Sequence, residues 1–291
     1  MTPRRIFRWN LKRHSLVLGE RTLLMGVLNI TPDSFSDAGK HFKLRDAVAA
    51  AFAMQRAGAD ILDIGAESTR PGSLGVSAAE ELARLLPVLE ALRGKLKIPI
   101  SVDTQKSCVA ELALGAGAEI LNDVSGLKND SQLAAVAARH AAPVILMHRR
   151  GTPRSMQKQP FARDVMRDVL KGLRASVALA HRHSVPSSQI ALDPGIGFGK
   201  SFEQNYELLA RLPEIATLGF PLLVGVSRKG FLGATLAKAG KPAPPDQRLW
   251  GTAAAVAASI LGGAHIVRVH DVAEMLQVAR VTDAVLREAA L

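Results

Sequence analysis

Eight short aliphatic stretches of this chain each end on side chains able to do chemistry. In order, the ends offer Asn29, Asp63, Asp103, Asn122 with Asp123, His148, Asp193, Ser227 to Lys229, and Arg268 with His270. Taken singly, each has an ordinary structural explanation. Asn and Asp cap helices and make turns, and a lone His is more often structural than catalytic. Polar groups at all eight ends point instead to one shared site, provided that a single fold turns those ends toward a common mouth.

Three loops add turn residues to these ends. Asn29 opens the first, Asn29-Ile-Thr-Pro-Asp-Ser-Phe-Ser-Asp37, with an aromatic at Phe35. The second, Gly65-Ala-Glu-Ser-Thr-Arg-Pro-Gly72, sets Thr69 and Arg70 beside a proline. Such loops can close over a ligand. The third, Asp193-Pro-Gly-Ile-Gly-Phe-Gly-Lys-Ser201, is glycine-rich but is no nucleotide fingerprint. A P-loop needs four residues between its glycines, whereas Gly195 and Gly199 have three between them, and the dinucleotide spacing fails likewise. An NTPase and a nicotinamide enzyme are therefore excluded.

The elements that must position these groups are strands at 22–29, 60–64, 98–103, 119–123, 143–147, 190–193, 221–226 and 265–269. Between several of them apolar residues recur at helical spacing: Leu44, Ala47, Val48, Ala51 and Met54; Leu82, Leu85, Leu86 and Leu89; Val165, Val169, Leu173 and Val177; Trp250, Ala253, Ala254, Ala257 and Ile260. Ser77 with Glu80 reads as a capping box, and Pro87 predicts a kink in the helix it opens. Gly58-Ala-Asp-Ile-Leu-Asp63, Gly117-Ala-Glu-Ile-Leu-Asn122 and Gly263-Ala-His-Ile-Val-Arg268 share one pattern, in which a glycine ends a helix and a buried strand begins. Strands that are aliphatic throughout belong to a parallel sheet covered on both faces. Eight such units predict an α/β fold, a (β/α)8 TIM barrel forming a single domain, with a doubly wound open sheet as the alternative. Residues 11–24 alternate like a short hairpin leading into the first barrel strand. The division expected is a basic hairpin segment at 1–21 and a barrel at 22–291.

Composition excludes other classes. The 291 residues are 48% hydrophobic and 22% charged, which describes a globular chain with a sizeable core. One cysteine, Cys108, excludes an internal disulfide, and no apolar run approaches the roughly 20 residues of a membrane span. The N-terminus reads as part of the fold and not as a targeting segment, so a cytoplasmic location is expected. Net charge is +11, yet aromatic content is only 4%, low for a protein that stacks bases. The charge is local: residues 1–21 carry +5, residues 148–182 carry +7, and the remainder carries −1. Both basic segments read as solvated faces, with no nucleic acid and no membrane as partner.

Gly26-Val-Leu-Asn-Ile-Thr-Pro-Asp-Ser-Phe-Ser-Asp37, Glu67-Ser-Thr-Arg-Pro-Gly72, Ser101-Val-Asp-Thr104, Asp193-Pro-Gly-Ile-Gly-Phe-Gly-Lys200, Gly225-Val-Ser-Arg-Lys229 and Arg268-Val-His-Asp271 resemble, in order, the motifs of the dihydropteroate synthase family. The resemblance runs from about residue 8 to the C-terminus. It implies a (β/α)8 barrel, usually a homodimer, that joins 4-aminobenzoate to 6-hydroxymethyl-7,8-dihydropterin diphosphate with release of pyrophosphate in folate biosynthesis.

It also implies roles. Asp103, Asn122, Asp193 and Lys229 would meet the donor and acceptor edge of the flat pterin, with Met147 and Phe198 as apolar walls. Arg268 and His270, with Asn29, Thr69 and Arg70 from the first two loops, would hold the diphosphate. Mg2+ would bridge its oxygens using few protein ligands, with Asn29 as the metal ligand. Ser227 would lie near the aminobenzoate carboxylate, at a helix start, with Phe35, Thr69 and Pro71 closing around the ring. Sulfonamides mimic aminobenzoate in this family, so competitive inhibition is expected. The expected chemistry is a loose, dissociative substitution in which Asp103 and Asp193, with Lys229 beside them as the third catalytic group, surround the reacting pterin and offset positive charge developing on its ring.

Two departures stand out. Family members commonly have Met-Gln after the histidine of the fifth strand, where this chain has Arg149-Arg150, read as decoration of an exposed loop. Gly65-Ala66 replaces two glycines without consequence. A pterin-binding methyltransferase domain, which would present its pterin to a corrinoid partner, is disfavoured by the Thr-Pro-Asp-Ser-Phe loop and the Ser-Arg-Lys cluster. A non-enzymatic basic binding protein leaves the carboxylates unexplained.

Overall fold

The computed structural model describes residues 4–31, 44–68, 73, 75–152, 155–156 and 161–289. The chain begins with an antiparallel hairpin, β1 (Phe7–Asn10) and β2 (Ser15–Leu18). Eight parallel strands follow: β3 (Leu23–Asn29), β4 (Ile61–Gly65), β5 (Ile100–Asp103), β6 (Ile120–Asp123), β7 (Val144–Met147), β8 (Ile190–Asp193), β9 (Leu223–Val224) and β10 (Ile266–Val269). The helices between them are α1 (Leu44–Arg56), α2 (Ala78–Leu92), α3 (Ser107–Ala116), α4 (Gln132–Arg139), α5 (Val165–Arg182), α6 (Phe202–Ala210), α7 (Leu212–Ala216), α8 (Gly230–Thr235) and α9 (Leu249–Leu261), and α10 (Val272–Glu288) closes the chain. The sheet order is β8-β7-β6-β5-β4-β3-β10-β9, and a parallel bridge between Leu192 and Leu222 joins the two end strands. That closure makes the sheet a barrel and excludes the open doubly wound alternative. Every predicted strand falls on an observed one, although the seventh shortens to Leu223–Val224.

Period-two alternation divides each strand between two environments. Outward residues such as Leu24, Leu62, Val102, Leu121, Leu146, Leu192 and Val267 pack against the helices in the larger apolar cluster. Inward residues at the start of the strands, including Leu23, Met25, Ile61, Ile120, Ile145, Ala191 and Ile266, fill the lower barrel. Trp9 and Leu18 of the hairpin belong to this inner cluster and are fully buried, so the hairpin plugs the N-terminal end. Burying Leu18 alone contributes about 1.5–3 kcal/mol. Glu119 ties the hairpin tip down, accepting from the Arg13 amide at 2.8 Å and lying 2.7 Å from His14 Nδ1. Arg4 pairs with Asp283 at 2.6 Å with both side chains under 10% exposed. Part of the N-terminal basic segment is thus structural, not merely a solvated face.

The three-fold glycine pattern has a backbone cause. Gly58, Gly117 and Gly263 take φ values of +97°, +119° and +102°, the left-handed region in which helices end. At Gly58 a Cβ would also come within 2.6 Å of Leu276 Cδ2. Ser77 caps α2 through its side chain, accepting from the Glu80 amide, and α2 runs on through Pro87 to Leu92. The stripe predicted on α9 is misplaced. Trp250 is 80% exposed, and the helix instead buries Thr252, Ala255, Val256, Ser259 and Ile260. Alanines on all sides of this helix let the apolar period be read two residues out of phase, with Ile260 common to both stripes, because small residues tolerate either environment.

Candidate active site

Continuing the inward positions past the apolar layers changes their chemistry. One further pleat along β4, β5, β6, β8 and β10 places Asp63, Asp103, Asn122, Asp193 and Arg268 in an upper layer, with Asn29 at the end of β3 and Met147 at the end of β7. Register sets neighbours side by side: Asn29 opposite Gly65, Gly65 opposite Asp103, Asp103 opposite Asn122, and Met147 opposite Asp193. Above them opens a cavity of about 680 Å³ lined by Asn29, Asp103, Asn122, Met147, Asp193, Phe198, Ser227, Lys229, Arg268 and His270. That volume suits two small aromatic molecules. Phe35, Thr69, Arg70 and Pro71 lie outside the described residues.

Asp63 sits at the centre of the polar layer. Fully buried, its Oδ2 accepts from Arg268 Nε at 2.6 Å and from Asn122 Nδ2 at 3.1 Å. Arg268 Nη2 also reaches Asp103 Oδ2 at 3.2 Å. Two carboxylates on one guanidinium leave a net negative charge in a buried place. Burial, reinforced by Asp63, accordingly pushes the Asp103 carboxyl above the ordinary carboxylate range, against the pull of Arg268. Ligand N–H donors would relieve that pressure by hydrogen bonding to the ionised form.

On the opposite wall, Asp193 Oδ1 accepts from the Gly195 amide at 2.7 Å. Its carboxyl is pushed up by burial and pulled back by that bond and by Lys229, Lys200 and Arg268. Lys229 Nζ stands 4.1 Å from the centroid of the Phe198 ring, a cation–π contact. Burial pulls the ammonium down while Asp193 and Asp103 hold it up. The glycines of this loop are required by space as well as by φ. Gly195, Gly197 and Gly199 have φ of +67°, +85° and +69°, and a Cβ at Gly195 would lie 1.9 Å from the His148 carbonyl oxygen. A loop pressed so closely on the end of β7 explains the Gly-x-Gly-x-Gly spacing that fits no nucleotide motif.

Ser227 and His270 are joined, His270 Nδ1 lying 2.9 Å from Ser227 Oγ. Burial and the neighbouring Arg268 and Arg228 lower His270 to about 4, so it is neutral at pH 7 and offers hydrogen bonds, not a charge. Ser227 is not at a helix start: α8 begins three residues later, at Gly230, and has only six residues. Arg228 and Lys229 therefore carry the positive charge here, with Arg228 paired to Asp271 at 2.5 Å.

Arg149 also differs from expectation. It is only 7% exposed and donates to Gln105 Oε1 at 2.9 Å and to the Gly151 carbonyl at 3.1 Å. It braces the turns after β5 and β7 instead of decorating a loop. Among the described residues no group of three or more His, Cys, Asp or Glu is placed to hold a metal ion. Sequence reasoning noted Asp63 as a strand end and Lys200 as the close of the glycine-rich loop but gave neither a role. The i+2 step from Ile61 to Asp63 was the available signal for the first.

A sequence profile described as pterin binding enzyme matches residues 25–270. A dihydropteroate synthase of Synechocystis is 50% identical over 269 residues, covering 92% of this chain and 92% of its own length. A Clostridium difficile dihydropteroate synthase crystallised in the presence of pteroic acid superposes with TM-score 0.86 at 45% identity, over 93% of this chain and 98% of its own. A Yersinia pestis dihydropteroate synthase in complex with a sulfonamide drug gives 0.89 at 40% identity, over 97% and 100%. Sequence motifs, closed barrel and polar upper layer agree with these relatives, and the chain belongs to the dihydropteroate synthase family of pterin binding enzymes.

Proposed function

We propose that the upper layer of this barrel binds 6-hydroxymethyl-7,8-dihydropterin diphosphate through its ring edge and joins it to 4-aminobenzoate, giving 7,8-dihydropteroate and pyrophosphate. The observation that carries the assignment is the convergence of Asp103, Asn122, Asp193, Lys229 and Arg268 on one cavity. Asp103, Asn122 and Asp193 offer acceptors, and Asn122 and Lys229 offer donors, to a ring whose edge alternates the two. Met147 and Phe198 cover its faces.

The amine nitrogen of aminobenzoate is a weak nucleophile, and the electron-rich dihydropterin can share positive charge with its methylene. The C–O bond to diphosphate therefore breaks ahead of full C–N bond formation, and the amine then loses a proton to solvent. Hydrogen bonds from the N–H groups of the bound ring favour the ionised forms of Asp103 and Asp193, which stabilise the positive charge at the ring. Arg268 anchors the leaving diphosphate, while neutral His270 and Ser227 donate hydrogen bonds to the anionic groups that meet there, the diphosphate and the aminobenzoate carboxylate.

Mg2+ fits this site as an ion carried chiefly by substrate phosphates. The neutral oxygen donor Asn29 faces the cavity while Asp63 and Asp103 are committed to Arg268, leaving Asn29 as the protein ligand we assign. When bound, the ion supplies charge neutralisation of the diphosphate oxygens. By family resemblance we assign Thr69 and Arg70 to the diphosphate and Phe35, Thr69 and Pro71 to aminobenzoate, where sulfonamides would compete.

We assign the working assembly as a homodimer, supported by exposed apolar side chains on two adjacent helices: Trp250 on α9, and Val281 and Val285 on α10. Among the described residues no helix is long and apolar enough to cross a membrane. The direct test is pyrophosphate release on mixing both substrates with Mg2+. Release that requires aminobenzoate supports the assignment. Release without it would mean hydrolysis, and none at all would favour a pterin carrier for methyl transfer.

A further inference from the structure

Lys200 is a charged side chain placed where charge is costly. It is 2% exposed and lies behind the 195–199 loop. Its ammonium donates to the carbonyl oxygens of Gly195 at 2.8 Å, Phe198 at 3.0 Å and His148 at 3.3 Å, and lies 3.2 Å from His148 Nδ1. Nothing in this cradle is a carboxylate. A buried cation held only by neutral dipoles is an expensive choice if a loop clamp were all that was needed.

Gly195 shows what the charge faces. Lys200 binds the carbonyl of Gly195, and the N–H of the same residue donates to Asp193 Oδ1 at 2.7 Å. The ammonium and the carboxylate thus stand on two sides of one glycine. The other charges facing Asp193 are Lys229 and Arg268. Those facing Lys200 are Asp168, Lys128 and Lys229. His148 adds none: burial lowers it to about 4, its Nε2 lies 3.4 Å from Asp168, and its Nδ1 faces the ammonium, which fixes the tautomer with the proton on Nε2.

We infer that Lys200 is a positioning residue for the pterin subsite: from behind the glycine loop it keeps Asp193 ionised and holds the turn that carries Phe198 beneath Lys229. This rests on the reading of Asp193 as a substrate-binding carboxylate. Burial draws Lys200 down to about 7, so the ammonium is charged in the acidic range where Asp193 gains its proton. Its influence is therefore greatest where it is needed.

The test is the pH profile of kcat/KM for dihydropterin diphosphate, with circular dichroism recorded at each pH. Lys200→Gln keeps two N–H donors for the carbonyls but removes the charge. Loss of that charge disfavours the carboxylate, so the part of the acid limb that Asp193→Asn removes should move up by about one pH unit, with about tenfold loss relative to wild type below it recovered near pH 8, while the part contributed by Asp103 stays in place. Lys200→Met should show the same shift plus a pH-independent loss from the loosened loop, and Lys200→Arg should keep the limb near its wild-type place. A folded Lys200→Gln enzyme with an unmoved limb overturns the inference, as does a Lys200→Arg enzyme whose limb moves as far as that of Lys200→Met. Asp193→Asn separates the two readings. If it abolishes the limb, an unmoved Lys200→Gln profile refutes Lys200 alone, whereas an Asp193→Asn enzyme with normal turnover and an intact limb refutes the role of Asp193.

Discussion

Replacing Asp63 by Asn isolates the electrostatics of the upper layer with almost no change in volume. The carboxylate receives two donors, Arg268 Nε at 2.6 Å and Asn122 Nδ2 at 3.1 Å. Asparagine can present its oxygen to both, but its NH2 then occupies the place of Asp63 Oδ1, which has no hydrogen-bond partner among the described residues. The charge-assisted part of the Arg268 bond is lost and a buried donor is left unpaired. Each effect is worth about 1–3 kcal/mol, and Arg268 keeps Asp103 at 3.2 Å as a partial substitute. A net loss of about 1.5–2 kcal/mol, roughly 10- to 30-fold, is expected in kcat/KM for dihydropterin diphosphate. KM for aminobenzoate should stay within about twofold, since Ser227 does not touch Asp63. The assay is continuous pyrophosphate release with each substrate varied in turn, and a melting curve to establish folding. A folded Asp63→Asn enzyme with wild-type kcat/KM for the pterin substrate would falsify the view that Asp63 holds Arg268 and Asn122 in their working positions.

Other perturbations probe the remaining groups. Asp103→Asn and Asp193→Asn should each lower turnover more than about tenfold, and near-normal turnover in both removes the charge-stabilisation argument. Stability should fall in mild acid, because His148, His265 and His270 are buried with values of about 4 while an unfolded imidazole titrates near 6.5. Protons then favour the unfolded chain, so stability present above about pH 6.5 is lost progressively toward pH 4. Urea midpoints measured at pH 7.5 and 5 should differ in that direction, less the opposite contribution of the raised Asp103 and Asp193 carboxyls. A variant combining His148→Gln, His265→Gln and His270→Gln should lose the histidine part of the difference, and one whose difference matches wild type refutes the argument. If the proposed homodimer uses this face, Trp250→Glu should sediment as a folded monomer where the wild type sediments as a dimer, and an unchanged dimer places the interface on another face.

The eight strands were readable because burial on both faces demands unbroken aliphatic runs of about strand length, and few other folds repeat that demand eight times. The glycines at 58, 117 and 263 were readable for a local reason too, since φ near +100° is a property of one residue. Helix faces were less secure, as Trp250 shows, because a period alone does not say which stripe meets the sheet. Arg149 and Arg4 looked like surface charge because their acceptors, Gln105 and Asp283, lie far away in sequence.

By itself, the order of residues determined a barrel, the identity of the strand-end groups and, through six motifs, the family. Those are short-range facts: periodicity, turn chemistry and local spacing. Which carboxylate grips Arg268, why His270 is neutral and why a lysine lies buried behind a glycine loop were decided only in three dimensions. Protonation and pairing depend on burial and on charges brought together across the barrel from positions far apart in the chain, such as Arg268 and Asp63, 205 residues apart.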